Sequence, residues 1–322
     1  MNNLKMSWKP VRPVSKGAEM YHNAVIDTSW YNDNLQPIIS MLSEELFKSS
    51  TVVDFGAGTG VSSIFLLNKI KHNFNLLLVD NSPSWLGKAY ELLKDDHRVD
   101  FFILEKNAEK YNTLAETIGF NTAHLVISAN TIHLIPDVKE VLQGIYDSLR
   151  PHGYVILQSG NIKRHGRKKG VLMIDNTVEK VHTIAINLVK TEKKFLKYKL
   201  NLTKRVKEEQ NQRKLIFPDP RDVLVYKNAL AKIGFKKIAI KHRLIKVKYD
   251  DWMKFLRIRR IQAGILPEIG GKNPSIIEEN DRDAIITLAI EKYFNYLKKN
   301  NSLATKNYFV TEWIYVKAEK LD

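Results

Sequence analysis

The stretch VVDFGAGTG at residues 52–60 constrains the fold of this chain more than any other. A β-branched run ends in an acidic residue, and glycines then occupy the alternate positions 56, 58 and 60. Such a run reads as a strand passing into a loop whose backbone approaches a ligand closely, since glycine tolerates left-handed conformations and carries no side chain. A dinucleotide fold would need G-x-G-x-x-G, with its third glycine where this chain has Val61. No Gly-Lys-Ser/Thr follows, so a phosphate-cradling Walker loop is excluded as well. The ligand that fits is a nucleoside carrying a polar amino-acid tail, with Asp54 as the carboxylate that favours its ammonium group.

Apolar runs recur after this loop. With 51–55 (TVVDF), the runs 75–79 (NLLLV), 99–103 (VDFFI), 123–128 (AHLVIS) and 153–158 (GYVILQ) read as strands. Their continuous hydrophobicity suits central parallel strands buried on both faces, and the helical patterns between them predict a doubly wound α/β sheet. Upstream, Leu35, Ile38, Ile39, Leu42 and Leu46 predict an amphipathic helix over 35–48. Beyond residue 160 the rhythm breaks. GNIKRHGRKKG (160–170) is a glycine- and base-rich loop, and 175–212 reads as one or two charged helices with Val178, Val181, Ile184 and Leu188 as the apolar stripe. FPDPRD (217–222) stops that segment and caps a new helix. Residues 234–247 and 308–318 read as strands, and 249–266 as one helix. The expected organisation is a helical segment over 1–50, a core over 51–160, a basic helical insertion over 161–217, and the rest of the sheet over 218–322 with a helical insertion at about 250–305.

The charge divides unevenly. The whole chain carries a net +16, but residues 1–160 are at −3 and residues 161–322 at +19. Solvated lysines, 38 of the 51 basic residues, account for this excess as well as a surface for an acidic carrier protein, an anionic acceptor, a membrane or a nucleic acid would. With no cysteine, disulfides, thiolate metal sites and cysteine nucleophiles are excluded; no metal site is expected, and a cytoplasmic location follows. No apolar run approaches the roughly 20 residues that span a bilayer. MNNLKMSWKPVRPVSKG at the start lacks the apolar core of a signal peptide.

With these elements in order, residues 51–160 resemble the class I S-adenosylmethionine-dependent methyltransferases, and in particular bacterial small-molecule enzymes of the polyketide and secondary-metabolite type. VVDFGAGTG matches the family's first motif. LLLVDNSP supplies Asp80, 20 residues beyond Gly60, where the family places an acidic residue on the ribose hydroxyls. LEKNAEKY offers Asn107 and Ala108 where the family often has an Asp-Ala pair facing the adenine. LVISANTIHLIPD resembles the NAIH variants of the fourth motif, and LRPHGYVIL the segment before the fifth strand. The resemblance implies a doubly wound, seven-stranded Rossmann-like sheet, an N-terminal segment over the cofactor site and helical insertions forming a cap. It implies S-adenosyl-L-methionine as cofactor and S-adenosyl-L-homocysteine as product. The cofactor residues carried over are Asp54, Gly56, Ala57, Gly58, Gly60, Asp80, Asn81, Asn107, Ala108, Ala129, Asn130 and Tyr21.

The sulfonium methyl is already activated, so alignment and exclusion of water carry most of the expected catalysis. A general base is needed only if the acceptor must lose a proton, and His133 is the candidate; its alternative role is to order its loop. His165 and His242 are weaker candidates in basic, exposed stretches. Tyr21 and Trp30 are candidates for closing over the cofactor, with core packing as the rival reading. For the acceptor, Trp252, Phe255 and Ile258 are candidate lining of an apolar pocket, and Arg257, Arg259 and Arg260 a candidate anion cluster. The expected acceptor is a small molecule or a carrier-bound group. The alternatives are an RNA or DNA methyltransferase and a non-catalytic cofactor-binding scaffold. Against nucleic acid stand the missing Asn/Asp-Pro-Pro-aromatic motif, the absent cysteine and the lack of a recognisable RNA-binding appendage.

Overall fold

The computed structural model describes residues 7–46, 50–71, 73–204, 214, 216–271 and 273–322. Residues 47–48 of the helix expected over 35–48, and 205–212 of the helices expected over 175–212, lie outside these.

Seven strands form one sheet: β1 (Ser50–Phe55), β2 (Phe74–Asp80), β3 (Val99–Ile103), β6 (Ala123–Ala129), β7 (Leu149–Ser159), β8 (Lys236–Lys248) and β9 (Tyr308–Glu319). Between β3 and β6, β4 (Lys106–Asn107) and β5 (Lys110–Tyr111) make a separate hairpin. The order is β3-β2-β1-β6-β7-β9-β8. β1 pairs in parallel with β2 and β6, while β9 runs antiparallel to β7, Tyr154 opposite Glu319 and Ser159 opposite Ile314. The doubly wound sheet expected from the apolar runs, with the seven strands the resemblance implies, is therefore the architecture found. The winding reverses between β1 and β6, and open α/β sheets bind ligands at the strand ends beside such a reversal.

Helices α1 (Lys16–Val25), α2 (Ser29–Ser43), α3 (Val61–Lys69), α4 (Pro83–Leu93), α5 (Leu114–Ile118) and α6 (Val138–Ser148) flank the central strands. The helix expected from residue 35 starts earlier, at Ser29, because Trp30, Tyr31 and Asn34 extend its buried face by a turn and a half. Before α1 the chain runs beside β3: Trp8 N–H donates to Phe101 O at 2.7 Å and Phe101 N–H to Ser7 Oγ at 3.0 Å, which occupies an otherwise open sheet edge.

The chain divides into two compact units. The first comprises residues 1–164, 222–243 and 313–322, the second 165–221 and 244–312. In the first, Val53, Val79, Val126, Val155 and Ile314 pack with Leu142, Ile145, Tyr226 and Leu230 into one apolar core. Asp222 caps the helix Val223–Ile233 by accepting from Leu224 N–H at 2.9 Å, as FPDPRD predicts. In the second unit α7 (Ile174–Thr191) lies along the helix Ile276–Asn300, burying Val178, Val181, Ala185 and Leu188. The single helix expected over 249–266 is two, Tyr249–Leu256 and Arg259–Ile265. The β-branched Ile258 breaks it, buried in an extended conformation (φ −62°, ψ 129°). Among the described residues, no helix is long and apolar enough to cross a membrane.

Candidate active site

β1 delivers Asp54 to the floor of the sheet and turns into the glycine loop. Gly56, Gly58 and Gly60 all take left-handed φ, at 74°, 56° and 78°. Packing adds to the conformational demand. A Cβ on Gly56 would overlap the Thr131 side chain, and one on Gly60 would lie 2.9 Å from Ala89 Cβ. On Gly58 it would meet only the Trp85 ring, at 3.4 Å. Asp54 is fully buried. Its Oδ2 accepts from Ser62 Oγ at 2.6 Å and Ser63 Oγ at 2.7 Å, while its Oδ1 has no partner among the described residues. Burial pushes the Asp54 carboxyl up to about 6; the two serine hydroxyls oppose this and the nearby Asp80 adds to it. Sequence reasoning passed over Ser62 and Ser63, although a serine pair in the first turn after a glycine loop is a local signal.

Asp80 ends β2 and secures the loop. Its Oδ2 accepts from Gly58 N–H and its Oδ1 from Ser82 N–H, both at 2.8 Å. The carboxylate thus joins the glycine loop to the start of α4, and an ionised carboxylate has lone pairs for further donors. Ala57 is buried, its N–H donating to Val79 O at 3.1 Å; Asn81, next to Asp80, is exposed.

From the neighbouring strand, Ala129 ends β6 and Asn130 turns left-handed (φ 55°). Asn130 N–H donates to both the backbone O and the Oε1 of Gln158, each at 2.9 Å. Trp313 Nε1–H donates to Asn130 Oδ1 at 2.9 Å. Thr131 Oγ1 donates to Gly56 O at 3.0 Å, so SANTIH is bonded directly to the glycine loop. Gln158 Nε2 donates to Asn34 Oδ1 at 2.7 Å, and Tyr315 Oη to Asn34 O at 2.7 Å. Asn34 and Gln158 are fully buried and carry no sequence signal of this role.

Of the two N-terminal aromatics, Tyr21 packs on Trp85. Its ring lies 4.7 Å from that of Trp85, the residue facing Gly58. Trp30 instead packs on Tyr31 and Trp313, at 5.3 and 5.8 Å between ring centroids. His22, on the buried face of α1 and unnoticed in the sequence, bonds to the Thr59 backbone. Burial and then Lys88 hold its pKa below the usual histidine range, and its Nδ1 has no partner among the described residues. His133 stands on the 3₁₀ turn Ile132–Leu134, with Nδ1 2.9 Å from Ser159 Oγ at the end of β7. Ser159 Oγ also accepts from Asn161 N–H at 2.8 Å.

Other expected residues fall elsewhere. Asn107 and Ala108 form the exposed tip of the β4–β5 hairpin, where the Asn107 amide donates to Asn112 Oδ1 at 2.7 Å. His165 and His242 are exposed. Trp252, Phe255 and Ile258 are buried in the second unit's own core, where Trp252 Nε1–H donates to Thr177 Oγ1 at 3.1 Å. Of the three candidate arginines, Arg257 makes a forked pair with Asp283 (3.0 and 2.6 Å) and Arg259 pairs with Glu279, so a carboxylate already meets each of these two charges.

A left-handed glycine loop between two carboxylates, on a sheet of this order, lies within residues 53–155. The family described as "Methyltransferase domain" matches those residues. The chain is 34% identical over 131 residues to the highly reducing polyketide synthase PKS6 of Gibberella zeae, which is 38% of this chain and 5% of that protein. It is 26% identical over 148 residues to the carboxy-S-adenosyl-L-methionine synthase of Nautilia profundicola, covering 45% of this chain and 59% of the relative. The chain thus spans less than two thirds of either relative. Among solved structures, loganic acid methyltransferase with SAH has a TM-score of 0.57 at 11% identity, covering 95% of each chain, a likeness of fold.

Proposed function

We propose that this chain transfers a methyl group from S-adenosyl-L-methionine to a small-molecule or carrier-bound acceptor of secondary metabolism. The observation that carries the reading is the glycine loop itself: three left-handed glycines beside a buried carboxylate whose Oδ1 is left without a partner among the described residues. These residues fit the cofactor. The loop backbone would hold its amino-acid tail, Asp54 Oδ1 would accept from the ammonium, and the Asp80 carboxylate would accept from the ribose hydroxyls. The polyketide synthase similarity supports the acceptor class.

When bound, S-adenosyl-L-methionine supplies an activated sulfonium methyl. The chain's own task is then to orient the acceptor and exclude water, effects worth roughly 7–11 kcal/mol when alignment is good. Trp85 stands over Gly58, and the Tyr21 ring packs on it. His133 would take the acceptor's proton on Nε2, in the tautomer whose Nδ1–H donates to Ser159 Oγ. The +19 charge of residues 161–322 favours an anionic acceptor or carrier.

The test is calorimetry with S-adenosyl-L-methionine and S-adenosyl-L-homocysteine, followed by isotope transfer from labelled cofactor to acyl thioesters. Heat of binding with label on the thioester is the expected result; no heat with either cofactor overturns the reading. Label recovered instead on RNA or DNA retained at moderate salt would replace the acceptor class.

A further inference from the structure

Gln158 lies one residue from the end of β7, and Asn34 lies on α2. Both are fully buried, so each amide must find its partners within the fold. Two of the neighbours can act in only one sense: the Trp30 carbonyl accepts and the Asn130 backbone N–H donates. Asn34 Nδ2 donates to Trp30 O at 3.1 Å, which leaves Asn34 Oδ1 facing Gln158. Gln158 Nε2 donates to that oxygen at 2.7 Å and to Asn34 O at 3.4 Å. Gln158 Oε1 then accepts from Asn130 N–H at 2.9 Å. One buried amide on α2 thus decides the sense of a second on β7.

The turn after β6 depends on that sense. Asn130 holds a φ of 55°, a left-handed conformation that persists in a residue with a side chain only where the surroundings impose it. Its N–H is shared between Gln158 O and Oε1, and its Oδ1 accepts from Trp313 Nε1–H at 2.9 Å. The next residue carries the turn to the glycine loop. Thr131 Oγ1 donates to Gly56 O at 3.0 Å, and the Thr131 side chain fills the space a Cβ on Gly56 would need. Rotating the Gln158 amide by half a turn would set its NH2 against the Asn130 N–H, donor against donor, and would shift the turn that carries Thr131.

We propose that Gln158 and Asn34 are positioning residues for the cofactor. Asn34 sets the sense of the Gln158 amide, Gln158 holds the Asn130 turn, and Thr131 on that turn places Gly56 where the loop meets the amino-acid tail. This rests on the cofactor assignment above. The tail is common to the methylated and demethylated forms, so the network acts on both alike.

The test needs no acceptor. Dissociation constants for S-adenosyl-L-methionine and S-adenosyl-L-homocysteine are measured calorimetrically on the full chain, beside melting temperatures, and the two readouts should run in opposite orders. Asn34→Leu removes the oxygen that Gln158 Nε2 needs and should weaken both ligands about fivefold, the worth of a neutral hydrogen bond. Asn34→Asp keeps that oxygen but buries a carboxylate against the Trp30 carbonyl. It should melt below Asn34→Leu and yet bind both ligands about threefold more tightly than that variant. If Asn34→Asp does not fold, the comparison moves to β7. Gln158→Glu keeps an oxygen for Asn130 N–H and should outbind Gln158→Met, which keeps none. Thr131→Val, which removes the hydroxyl at Gly56 and keeps the shape, should weaken both ligands about as much as Gln158→Met. The double variant should add little, because both act through one turn. Affinities that simply follow the melting temperatures, or that stay at the wild-type value in Asn34→Leu and Gln158→Met, overturn the proposal. A wild-type chain that binds neither ligand overturns the cofactor assignment and the proposal with it.

Discussion

The two units surround their buried polar groups differently. In the first, polar groups gather round the glycine loop and some stay unanswered: Asp54 Oδ1, Thr59 Oγ1 and His22 Nδ1 are buried with no partner among the described residues. In the second, Tyr249 Oη, Glu268 Oε2, Arg282 Nε and Thr287 Oγ1 are likewise buried with no partner among the described residues, while many of its charges answer one another. Arg257 meets Asp283, Arg259 meets Glu279, Arg167 meets the buried Glu312 at 2.9 Å, and Lys197 and Tyr198 both bond to Asp281. A buried polar atom without a partner costs about 1–3 kcal/mol, so several of them round one glycine loop mark a place where a ligand or ordered water gains by meeting them. Paired charges need no such visitor. What sets the first unit apart is that its unpartnered atoms cluster at the glycine loop beside Asp80, whereas the second unit's paired charges hold its helices to one another.

The largest expected effect breaks the first unit's side of the comparison. Gly56→Val adds a branched side chain where even a Cβ overlaps Thr131, at a φ of 74° that a branched residue strongly resists. S-adenosyl-L-homocysteine affinity should fall by about 100-fold or more, since backbone strain and overlap together cost several kcal/mol. Retained affinity, read by calorimetry on protein with an unchanged circular dichroism spectrum, would mean that the loop is not the cradle.

Next comes Asp54→Asn, whose sign is opposite for stability and for binding. The folded carboxyl titrates near 6 against 3.8 in the unfolded chain, so between about pH 4 and pH 6 the folded state holds more proton. Stability of the ligand-free protein therefore falls as pH rises through that window, by about 3 kcal/mol in total. The substituted amide does not titrate, so the variant should melt higher than wild type at pH 7 and no higher at pH 4, while binding the cofactor more weakly. Equal melting temperatures at both pH values would show that the buried carboxylate is not held at a cost.

What the sequence makes legible follows the same division. Strand positions in the first unit are readable because both faces are buried, leaving unbroken apolar runs such as LLLV and LVIS. The glycine loop and Asp80 are readable because backbone conformation and a strand end confine the residue types that serve there. The support behind them is not. Trp313 reaches Asn130 across 183 residues, Gln158 reaches Asn34 across 124, and Tyr315 reaches Asn34 across 281. No local pattern announces such pairings, for each side chain alone is an ordinary core aromatic or amide. In the second unit Trp252 and Arg257 read as ligand residues because aromatic and basic types are common in both sites and cores. Only their partners, Thr177 and Asp283, decide between the two.

Smaller effects sharpen the second unit's side. Thr177→Val removes the acceptor for the buried Trp252 indole and should cost about 1–2 kcal/mol of stability in a denaturant titration. Cofactor affinity should stay as in wild type. A matching loss of affinity would make Thr177 part of the binding apparatus and erase the distinction.

The smallest effect tests the paired arginines. The Arg257 side chain is 47% exposed and that of Asp283 33%, so a double-mutant cycle on the pair should give a coupling below about 1 kcal/mol, as for other solvent-screened pairs. The informative arm is inorganic phosphate. If Asp283 already answers Arg257, phosphate leaves the melting temperature of the wild type and of Arg257→Ala equally unmoved, whereas Asp283→Ala, with its guanidinium released, gains a phosphate-dependent rise. A rise in the wild type that Arg257→Ala abolishes would show an anion site after all, and the second unit would then hold ligand-facing charge just as the first does.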